Sequence, residues 1–246
     1  MASEVVGLIP ARGGSKAIPG KNLAPVAGRP LLAWTLDAAL ASRRLTRTVV
    51  STDSEEISTV ARSLGAEVLP RPAALAADDT PMLNVIVHAR GELGPCDVLV
   101  VLQPTSPLRR AEHVDEAVDL LLATGADTVV SVVEVPHAFR PGSLMRIEGG
   151  RLVPLEPDTP LLRQAKPPLY ARNGPAVLAL RPDRLDPARG LYAGECRPYL
   201  MDASDSLDVD GPFELELAGL LLSGSPGSAG RSDPSAAAPR TGRSPS

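Results

Sequence analysis

Residues 5–23 read VVGLIPARGGSKAIPGKNL, an apolar run that leads into a loop rich in glycine and basic residues. An apolar run of this length is typical of a buried parallel strand, and the paired glycines and two prolines after it cannot continue that strand. Gly13 and Gly14 permit positive φ angles and close approach of the backbone, so successive amide N–H groups can point at one anion. The stretch therefore predicts a strand that ends in an anion-binding loop.

The same loop carries three cationic side chains, Arg12, Lys16 and Lys21. Arginine offers a planar fork of donors and lysine a point charge, and both suit a polyphosphate. The loop does not match G-x-x-x-x-G-K-[ST], because Gly14 and Gly20 are one residue too far apart and an asparagine replaces the magnesium-binding hydroxyl. It does not match G-x-G-x-x-G either. The basic residues favour a triphosphate loop; on the glycines alone, a surface loop without a ligand is the alternative.

The pattern L-x-P-A-R-G-G-S-K-x-I-P-x-K-N-L at residues 8–23 resembles the signature of the acylneuraminate cytidylyltransferases, which activate sialic acid and related nine-carbon 2-keto sugar acids as CMP conjugates. Five further blocks occur in the family's order: Ser51-Thr52-Asp53; Arg71-Pro72 with Leu75-Ala76 and Asp78-Asp79-Thr80; LQPTSPLR at 102–109; Arg172-Asn173-Gly174; and DSLDVD at 205–210. Together they cover nearly all of the chain to about residue 222, so the resemblance is far more specific than any single block.

Composition limits the class of protein. The chain has 246 residues, of which 43% are hydrophobic and 22% charged, values that fit one large globular domain. Its net charge of −4 argues against a nucleic-acid surface, which needs a basic field. The two cysteines lie far apart without C-x-x-C spacing, so the sequence predicts neither a zinc site nor a disulfide. The N-terminus lacks a signal pattern and no apolar run reaches the ~20 residues that span a bilayer, so we expect a cytoplasmic protein without membrane contact.

An alternation of strands and helices follows the loop. The predicted strands are 48–51, 67–69, 98–102, 128–135, 176–180 and 198–201, and the predicted helices are 30–42, 53–64, 82–92, 112–123 and 212–222. Asp53 with Glu56 forms a capping-box pattern for the second helix, and Thr80 with Pro81 predicts a cap for the third. We therefore expect an α/β protein with a Rossmann-like, mostly parallel sheet and helices on both faces. The resemblance implies the nucleotide-diphospho-sugar transferase fold.

The alternation stops between residues 136 and 170. Segments 144–147 and 152–155 flank a Gly-Gly pair and predict a β-hairpin. The residues alone leave a solvated excursion open, and the resemblance implies an extension that pairs with a second subunit to form a homodimer. Residues 1–222 are thus expected to form one nucleotidyltransferase domain that includes this extension. Residues 223–246 are rich in Ser, Gly, Pro and Ala and are expected to be a disordered, non-catalytic tail.

The resemblance implies CTP as the nucleotide. Arg12, Lys16 and Lys21 are predicted to neutralise charge on the triphosphate and pyrophosphate, and so to act in catalysis. The residues predicted to bind the nucleotide are Leu8, Ala11, Arg12, Gly13, Gly14, Ser15, Asn22, Arg71 and Asp79. Asn22 and Arg71 are assigned to the cytosine or the ribose by the resemblance rather than by spacing. A purine triphosphate remains open at this point.

Asp208 and Asp210 form the predicted metal site. Residues two apart lie on one face of an extended segment, so both carboxylates can ligate one divalent cation. Mg²⁺, or Mn²⁺, suits such an oxygen site and would neutralise phosphate charge during catalysis. On its own D-x-D is also typical of a solvated turn, but it matches the family's Asp-x-Asp. Both residues are therefore predicted to be catalytic.

The predicted acceptor is a sugar acid, whose carboxylate needs a bidentate arginine. The residues predicted to bind it are Gln103, Thr105, Ser106, Arg109, Arg163, Arg172 and Asn173. Either Arg163 or Arg172 can hold the carboxylate, and Gln103 has the alternative role of capping its own loop. Many family members have an aromatic residue shortly after the Asn-Gly pair, and this chain lacks it. The shape of the sugar pocket is accordingly not predicted.

The function implied is transfer of CMP from CTP to the anomeric hydroxyl of a 2-keto-3-deoxy sugar acid, with release of pyrophosphate. The acid can be an N-acylneuraminate, a related nonulosonic acid or an eight-carbon analogue. Two alternatives stay open: a sugar-1-phosphate nucleotidyltransferase, and a catalytically silent nucleotide-binding subunit. The three histidines have neither metal-ligand spacing nor a Ser-His-Asp order, so the general base is not predicted.

Overall fold

The computed structural model describes residues 3–156 and 168–224. In these ranges the strands are β1 (Val5–Pro10), β2 (Pro25–Val26), β3 (Arg29–Pro30), β4 (Arg47–Thr52), β5 (Glu67–Pro70), β6 (Val98–Val101), β7 (Thr128–Glu134), β8 (Met145–Glu148), β9 (Arg151–Pro154), β10 (Tyr170–Arg172), β11 (Leu178–Leu180) and β12 (Cys196–Leu200). The α-helices are α1 (Leu31–Ala41), α2 (Glu55–Ser63), α3 (Met82–Leu93), α4 (Ala111–Thr124) and α5 (Pro212–Ser223). No helix in this part of the chain is long and apolar enough to cross a membrane.

In the described residues eight strands form the central sheet, and seven of them lie in the order β5-β4-β1-β6-β11-β7-β12. The eighth strand, β10, pairs with the second half of β7, on the same side of β7 as β11, which pairs with the first half. β1, β4, β5, β6, β7 and β12 point in one direction, and β10 and β11 run antiparallel to their neighbours. The predicted mostly parallel sheet is confirmed. β11 lies between β6 and β7 and runs antiparallel to both. Neither its position nor its direction was predicted, because the sequence of an apolar strand does not show which strands it pairs with.

β1 is apolar throughout because both of its faces are covered. Val5 and Ile9 face a core that α1, α2 and α4 close, whereas Val6 and Leu8 face a second core closed by α3. Side chains alternate between faces along a strand, so helices on both sides demand an unbroken apolar run. Burial of one such side chain stabilises the fold by ~1.5–3 kcal/mol. The predicted helices on both faces of the sheet are confirmed.

Two of the predicted helix caps are wrong. Ser54 is the N-cap of α2, since its Oγ accepts a hydrogen bond from the amide of Ile57 at 3.3 Å. Asp53 instead accepts from the amide of Gly13 at 2.9 Å, because it leaves β4 at the sheet edge where the loop after β1 passes. At α3, Pro81 occupies the N-cap position, one residue after the Thr80 that was predicted there.

The predicted hairpin is present as β8 and β9. Gly149 and Gly150 have φ angles of 57° and 78°, the positive values that a tight type I′ turn requires of both its residues. Ile147 and Leu152 are paired across the two strands and are 78% and 67% exposed. The hairpin therefore presents an apolar surface that the rest of the described chain does not cover.

A third apolar cluster lies under α5 and fixes the segment that precedes this helix. Val209 is fully buried in it, against Val26, Leu31 and Ala218. Because neighbouring side chains of an extended segment point in opposite directions, burial of Val209 turns Asp208 and Asp210 together toward the other side. The fold thus positions both carboxylates at one wall.

Candidate active site

The loops after β1, β5 and β6 meet at the carboxyl edge of the parallel strands and line a cavity of about 380 Å³. This edge is where open α/β sheets bind ligands. Its walls include Arg12, Lys21, Arg71 and Asp208, which lie far apart in sequence. The predicted phosphate loop and the predicted metal pair therefore face the same space, here called the nucleotide cavity.

The loop after β1 packs tightly on the loop after β4. A side chain at Gly13 would place its Cβ 3.0 Å from Cβ of Ser54, so this position needs glycine for close approach and not for a positive φ. The Gly13 amide is already engaged with Asp53, whereas Gly14 and Ser15 line the cavity. Amides of the second half of the loop are the ones placed for an anion.

Arg12 and Lys16 both bind one carboxylate, that of Asp78. Arg12 forms an ion pair with it, and Nζ of Lys16 lies 2.9 Å from its Oδ2. Hydrogen bonds from Lys16 and from Arg12 hold the pKa of Asp78 below its ordinary value. Asp78 lines the nucleotide cavity, but Asp79, the residue predicted from the sequence, is exposed and does not. Asp78 is thus the carboxylate of its sequence block that faces the cavity.

Three buried or half-buried side chains complete this side of the cavity. Lys21 donates to the carbonyl oxygen of Val209 at 2.8 Å, and Asn22 donates to that of Arg12 at 2.9 Å. Arg71 donates to the carbonyl oxygen of Ser51 at 2.6 Å, and burial lowers its pKa. All three predicted residues line the cavity, with part of their donor capacity used inside the protein.

Leu8 and Ala11 were predicted to bind the nucleotide, and the structure places their side chains elsewhere. Both are fully buried in the two cores beneath the sheet edge. The amide of Ala11 is bonded to the carbonyl oxygen of Ser51 at 3.0 Å. These positions shape the end of β1 and present no side chain to a ligand.

The acidic turn, defined here as residues 205–210, forms the opposite wall. Oδ1 of Asp208 is buried and has no hydrogen-bond partner among the described residues. Burial raises the pKa of Asp208; a hydrogen bond with Thr105 opposes this change and the charge of Asp210 adds to it. A buried anionic oxygen without a partner is costly, and a cation removes that cost.

The donor set at the turn fits a hard divalent cation. Asp208 and Asp210 both line the nucleotide cavity and offer only oxygen ligands. The described residues contain no group of three or more metal-ligating side chains. A cation here would accordingly take its remaining ligands from phosphate oxygens and water, the arrangement that Mg²⁺ adopts with nucleotides.

A second cavity, of about 470 Å³, adjoins the first and is here called the acceptor cavity. Arg172 and Tyr192 line it, with the guanidinium carbon of Arg172 4.6 Å from the centre of the Tyr192 ring. Gln103, Gly174 and Asp208 line both cavities. The two spaces therefore share one wall, and a group bound in each would meet there.

Gln103 and Gly174 hold that shared wall together. Nε2 of Gln103 donates to the carbonyl oxygen of Gly174 at 2.8 Å, so this side chain joins its loop to a second loop 71 residues away and does not cap its own loop with this bond. Gly174 has a φ of 118°, and a Cβ there would lie 3.1 Å from Oγ of Ser106. A side chain at Gly174 would thus be strained and would also fill the junction of the two cavities.

Three residues predicted to bind the acceptor are instead buried within the protein. Nδ2 of Asn173 donates to Oγ of Ser206 at 2.9 Å, and its Oδ1 accepts from Oγ of Ser131 at 2.6 Å. Arg109 donates to the carbonyl oxygens of Ala176 at 2.7 Å and Gln103 at 3.1 Å, and burial lowers its pKa.

Ser106 is also fully buried and does not line either cavity. These residues, Asn173, Arg109 and Ser106, brace the loops that carry the site. A polar motif residue looks the same in sequence whether it contacts a ligand or its own backbone. Of the remaining predictions, Thr105 lines the nucleotide cavity, and Arg163 lies outside the described residues.

Asp78 and Tyr192 line the cavities and were not among the predicted site residues. Asp78 belongs to the Asp78-Asp79-Thr80 block, in which Asp79 was the residue predicted to bind the nucleotide. Tyr192 lies in none of the matching blocks. The chain has only three tyrosines, and this scarcity was the one feature of the sequence that could have drawn attention to Tyr192. Tyr192 supplies an aromatic wall to the acceptor cavity, in a chain that lacks the aromatic residue expected after Asn173.

The chain resembles known proteins in both sequence and fold. The sequence profile of a family described as "Cytidylyltransferase" matches residues 6–147, more than half of the chain. The chain belongs to the cytidylyltransferase family. The matched range holds the phosphate loop, Asp78 and Gln103, and it ends before the acidic turn.

Two curated cytidylyltransferase relatives match most of the chain. The CMP-N,N'-diacetyllegionaminic acid synthase of Legionella pneumophila is 34% identical, covering 89% of this chain and 96% of that protein. The N-acylneuraminate cytidylyltransferase of Escherichia coli O18:K1:H7 is 32% identical over 89% of this chain. The chain spans 52% of the length of that Escherichia coli protein.

Solved structures share the fold. A CMP:2-keto-3-deoxy-manno-octonic acid synthetase complexed with CTP superposes with a TM-score of 0.69 at 18% identity, covering 89% of this chain and 98% of that one. A 4-diphosphocytidyl-2C-methyl-D-erythritol synthase from Anaerococcus prevotii gives a TM-score of 0.62 at 11% identity, with 90% and 99% covered. At these identities the likeness establishes the fold expected for a nucleotidyltransferase.

Proposed function

We propose that this cytidylyltransferase transfers CMP from CTP to the anomeric hydroxyl of a 2-keto-3-deoxy sugar acid, an N-acylneuraminate or a related nonulosonic acid, and releases pyrophosphate. The observation that carries the proposal is the wall that the two cavities share, formed by Gln103, Gly174 and Asp208. One cavity is lined by cations suited to a triphosphate, and the other offers one exposed arginine suited to a carboxylate. The reacting atoms meet at the shared wall.

In the proposed reaction the acceptor hydroxyl oxygen attacks the α-phosphorus of CTP. A bond forms between them, the bond from the α-phosphorus to the oxygen that bridges to the β-phosphate breaks, and the hydroxyl proton leaves to solvent. Arg12, Lys16 and Lys21 neutralise charge on the departing pyrophosphate, which is the main contribution a protein makes to phosphoryl chemistry. Arg71 and Asn22, which line the same cavity, are assigned to the nucleoside.

Asp208 and Asp210 are assigned to a Mg²⁺ or Mn²⁺ ion. The unpartnered Oδ1 of Asp208 and the shared wall support this assignment. The cation supplies charge neutralisation and orientation of the phosphates. Asp208 lines both cavities, so a cation held there would lie where the two cavities meet. A hydrogen bond with Thr105 fixes the Asp208 carboxylate.

Arg172 is assigned to the acceptor carboxylate. It lines the acceptor cavity, and its planar guanidinium matches a carboxylate in a bidentate arrangement. The names of the two relatives, one acting on N-acylneuraminate and the other making a diacetyllegionaminic acid conjugate, support a nine-carbon acid. The donor CTP is a cytoplasmic metabolite, so the proposal assigns the chain to the cytoplasm.

The hairpin of β8 and β9 is assigned to a homodimer. Its exposed apolar residues include Met145, Ile147 and Leu152, and Phe139 before the hairpin is 68% exposed. A contiguous apolar surface of this kind is typical of an interface. A second copy of the chain is the partner that the resemblance implies.

The product distinguishes this proposal from the two alternatives. ³¹P NMR of a reaction with CTP and a 2-keto-3-deoxy sugar acid is expected to show one phosphodiester resonance from the product beside pyrophosphate. Two coupled product resonances, formed only with a sugar 1-phosphate, would support the sugar-1-phosphate nucleotidyltransferase instead. Nucleotide binding without any product across both acceptor classes would support the silent subunit.

A further inference from the structure

We propose that Arg110 and His113, at the start of α4, position the acidic turn by holding Asp205. The inference rests on the proposed function, because it concerns how Asp208 and Asp210 are kept in place for a cation. Residues 205–210 carry three carboxylates, and like charges this close repel one another. Such a segment needs contacts that oppose this repulsion before it can form a defined site.

Asp205 is turned toward α4. Its Oδ2 lies 3.1 Å from Nη2 of Arg110, and its Oδ1 accepts from Nη1 of the same guanidinium at 3.3 Å. Nε2 of His113 lies 3.5 Å from Oδ2. Nδ1 of His113 accepts from the amide of Arg110 at 3.2 Å, and its Nε2 lies 3.1 Å from Nη2 of the same arginine, so the ring packs against the group that pairs with Asp205. One of the three carboxylates is thus paired with a cation at the helix start.

The other contacts of the turn come from the loops of the site. Nδ2 of Asn173 donates to Oγ of Ser206, the amide of Val209 donates to the carbonyl oxygen of Thr105 at 2.8 Å, and Lys21 holds the carbonyl oxygen of Val209. Asp205 is the member of the turn whose carboxylate is anchored to a helix. The Asp205 end of the turn is therefore fixed by its ion pair with Arg110.

The start of α4 also follows directly on the loop that carries Gln103 and Thr105. The same contact consequently sets the distance between the acceptor-binding loop and the acidic turn. Residues that orient metal ligands from behind typically change metal affinity 10–100-fold when they are removed. Arg110, His113 and Asp205 are thus positioning residues, and none of them lines either cavity.

The test measures Mn²⁺ binding by electron paramagnetic resonance in the full-length protein with CTP, which reads the metal without requiring turnover. Asp205→Ala and Arg110→Ala are each expected to weaken Mn²⁺ binding about 10-fold or more. The double variant is expected to be no worse than Asp205→Ala, because both act through one contact. Asp119→Ala is the matched control, since Asp119 also lies on α4 and its removal breaks a surface ion pair with Arg44, which follows α1.

CTP affinity without metal and the melting temperature are measured on every variant, and Asp205→Asn replaces Asp205→Ala if the latter does not fold. Mn²⁺ affinity within twofold of the native protein in Asp205→Ala, or additive losses in the double variant, would overturn the inference. If Mn²⁺ binding proves insensitive to Asp208→Asn, the proposed metal site fails and the inference fails with it. If Asp208→Asn weakens Mn²⁺ binding and Asp205→Ala does not, the proposed metal site stands and only the positioning role of Asp205 is overturned.

Discussion

The ammonium group of Lys21 lies 2.8 Å from the carbonyl oxygen of Val209, 188 residues further along the chain. Lys21 belongs to the loop after β1, and Val209 is the residue between Asp208 and Asp210. This hydrogen bond joins the cationic wall of the nucleotide cavity to its anionic wall. Lys21 therefore lines the cavity and holds the acidic turn at the same time.

Lys21→Met is expected to lower the rate of pyrophosphate release with saturating substrates roughly 100-fold or more, the loss typical of one preorganised donor to a transition-state charge. Lys16→Met is the comparison, because the Lys16 side chain is 86% exposed and its charge, paired with Asp78, is screened by solvent. Its expected loss is less than 10-fold. Equal losses in the two variants, measured in steady-state assays, would contradict the role given to the Lys21–Val209 contact.

Asp78→Asn is expected to tighten CTP binding roughly two- to fivefold, because it frees Arg12 and Lys16 from an ion pair that a triphosphate must displace. The gain should shrink as salt is added, since the competing pair is exposed to solvent. Isothermal titration calorimetry at two salt concentrations measures both effects. Asp79→Asn is the matched control, and weaker binding in Asp78→Asn would show that Asp78 contacts the ligand itself.

Arg172→Ala is expected to raise the KM for the sugar acid roughly 10–100-fold, the range of a charge-assisted hydrogen bond worth ~1.5–3 kcal/mol. Tyr192→Leu should raise it roughly two- to fivefold through loss of a cation–π contact of ~0.5–1 kcal/mol. The KM for CTP should stay unchanged in both. Arg197→Ala, which removes an exposed arginine paired with Glu195, serves as control. A change confined to the CTP KM would assign Arg172 to the nucleotide.

Asp208→Asn is expected to stabilise the protein while it abolishes activity. Burial raises the pKa of Asp208 in the folded state, so the ionised form disfavours folding at every pH above the ordinary carboxyl range. That penalty is relieved as the pH falls through the raised pKa. Thermal unfolding without metal should show the variant more stable than the native protein at neutral pH, by a margin that narrows on acidification. Asp210→Asn is the control, because Asp210 is exposed. A native protein whose melting temperature at neutral pH equals or exceeds that of Asp208→Asn would contradict the burial argument.

Ile147→Asp is expected to convert a dimer into monomers, because it places a charge at the centre of the exposed apolar face of the hairpin. Light scattering coupled to size-exclusion chromatography measures the mass. Leu220→Asp is a matched control, since Leu220 lies on α5 and is as exposed as Leu152, at 67%. A native protein that elutes as a monomer at micromolar concentration would contradict the homodimer.

The parts of the fold that periodicity encodes were predictable. The strand β1 and the helices α1 to α5 follow from apolar runs and helical spacing, and the Gly149-Gly150 turn follows from the φ angles that only glycine adopts easily. The reversed direction of β11 was not predictable in this way. Its direction depends on which neighbours it pairs with, and that is a property of the tertiary structure.

The site was predictable as a set of segments and less so as a set of contacts. Arg12, Lys21, Asn22 and Arg71 meet in one cavity because their segments all follow parallel strands. Motif membership does not separate residues that face a cavity from residues that brace it, and Arg109, Ser106 and Asn173 prove to be buried. Burial decides between these roles, and burial depends on the packing of distant segments.

Pyrophosphate release with Mg²⁺ tests the central claim most directly. The four nucleoside triphosphates are each combined with N-acetylneuraminic, legionaminic, pseudaminic and 3-deoxy-octulosonic acids, using the native protein and the Asp208→Ala/Asp210→Ala variant. We predict release with CTP and a nine-carbon acid, and its loss in the variant. Release that persists in the variant, or no release with CTP and any of the four acids, would contradict the account.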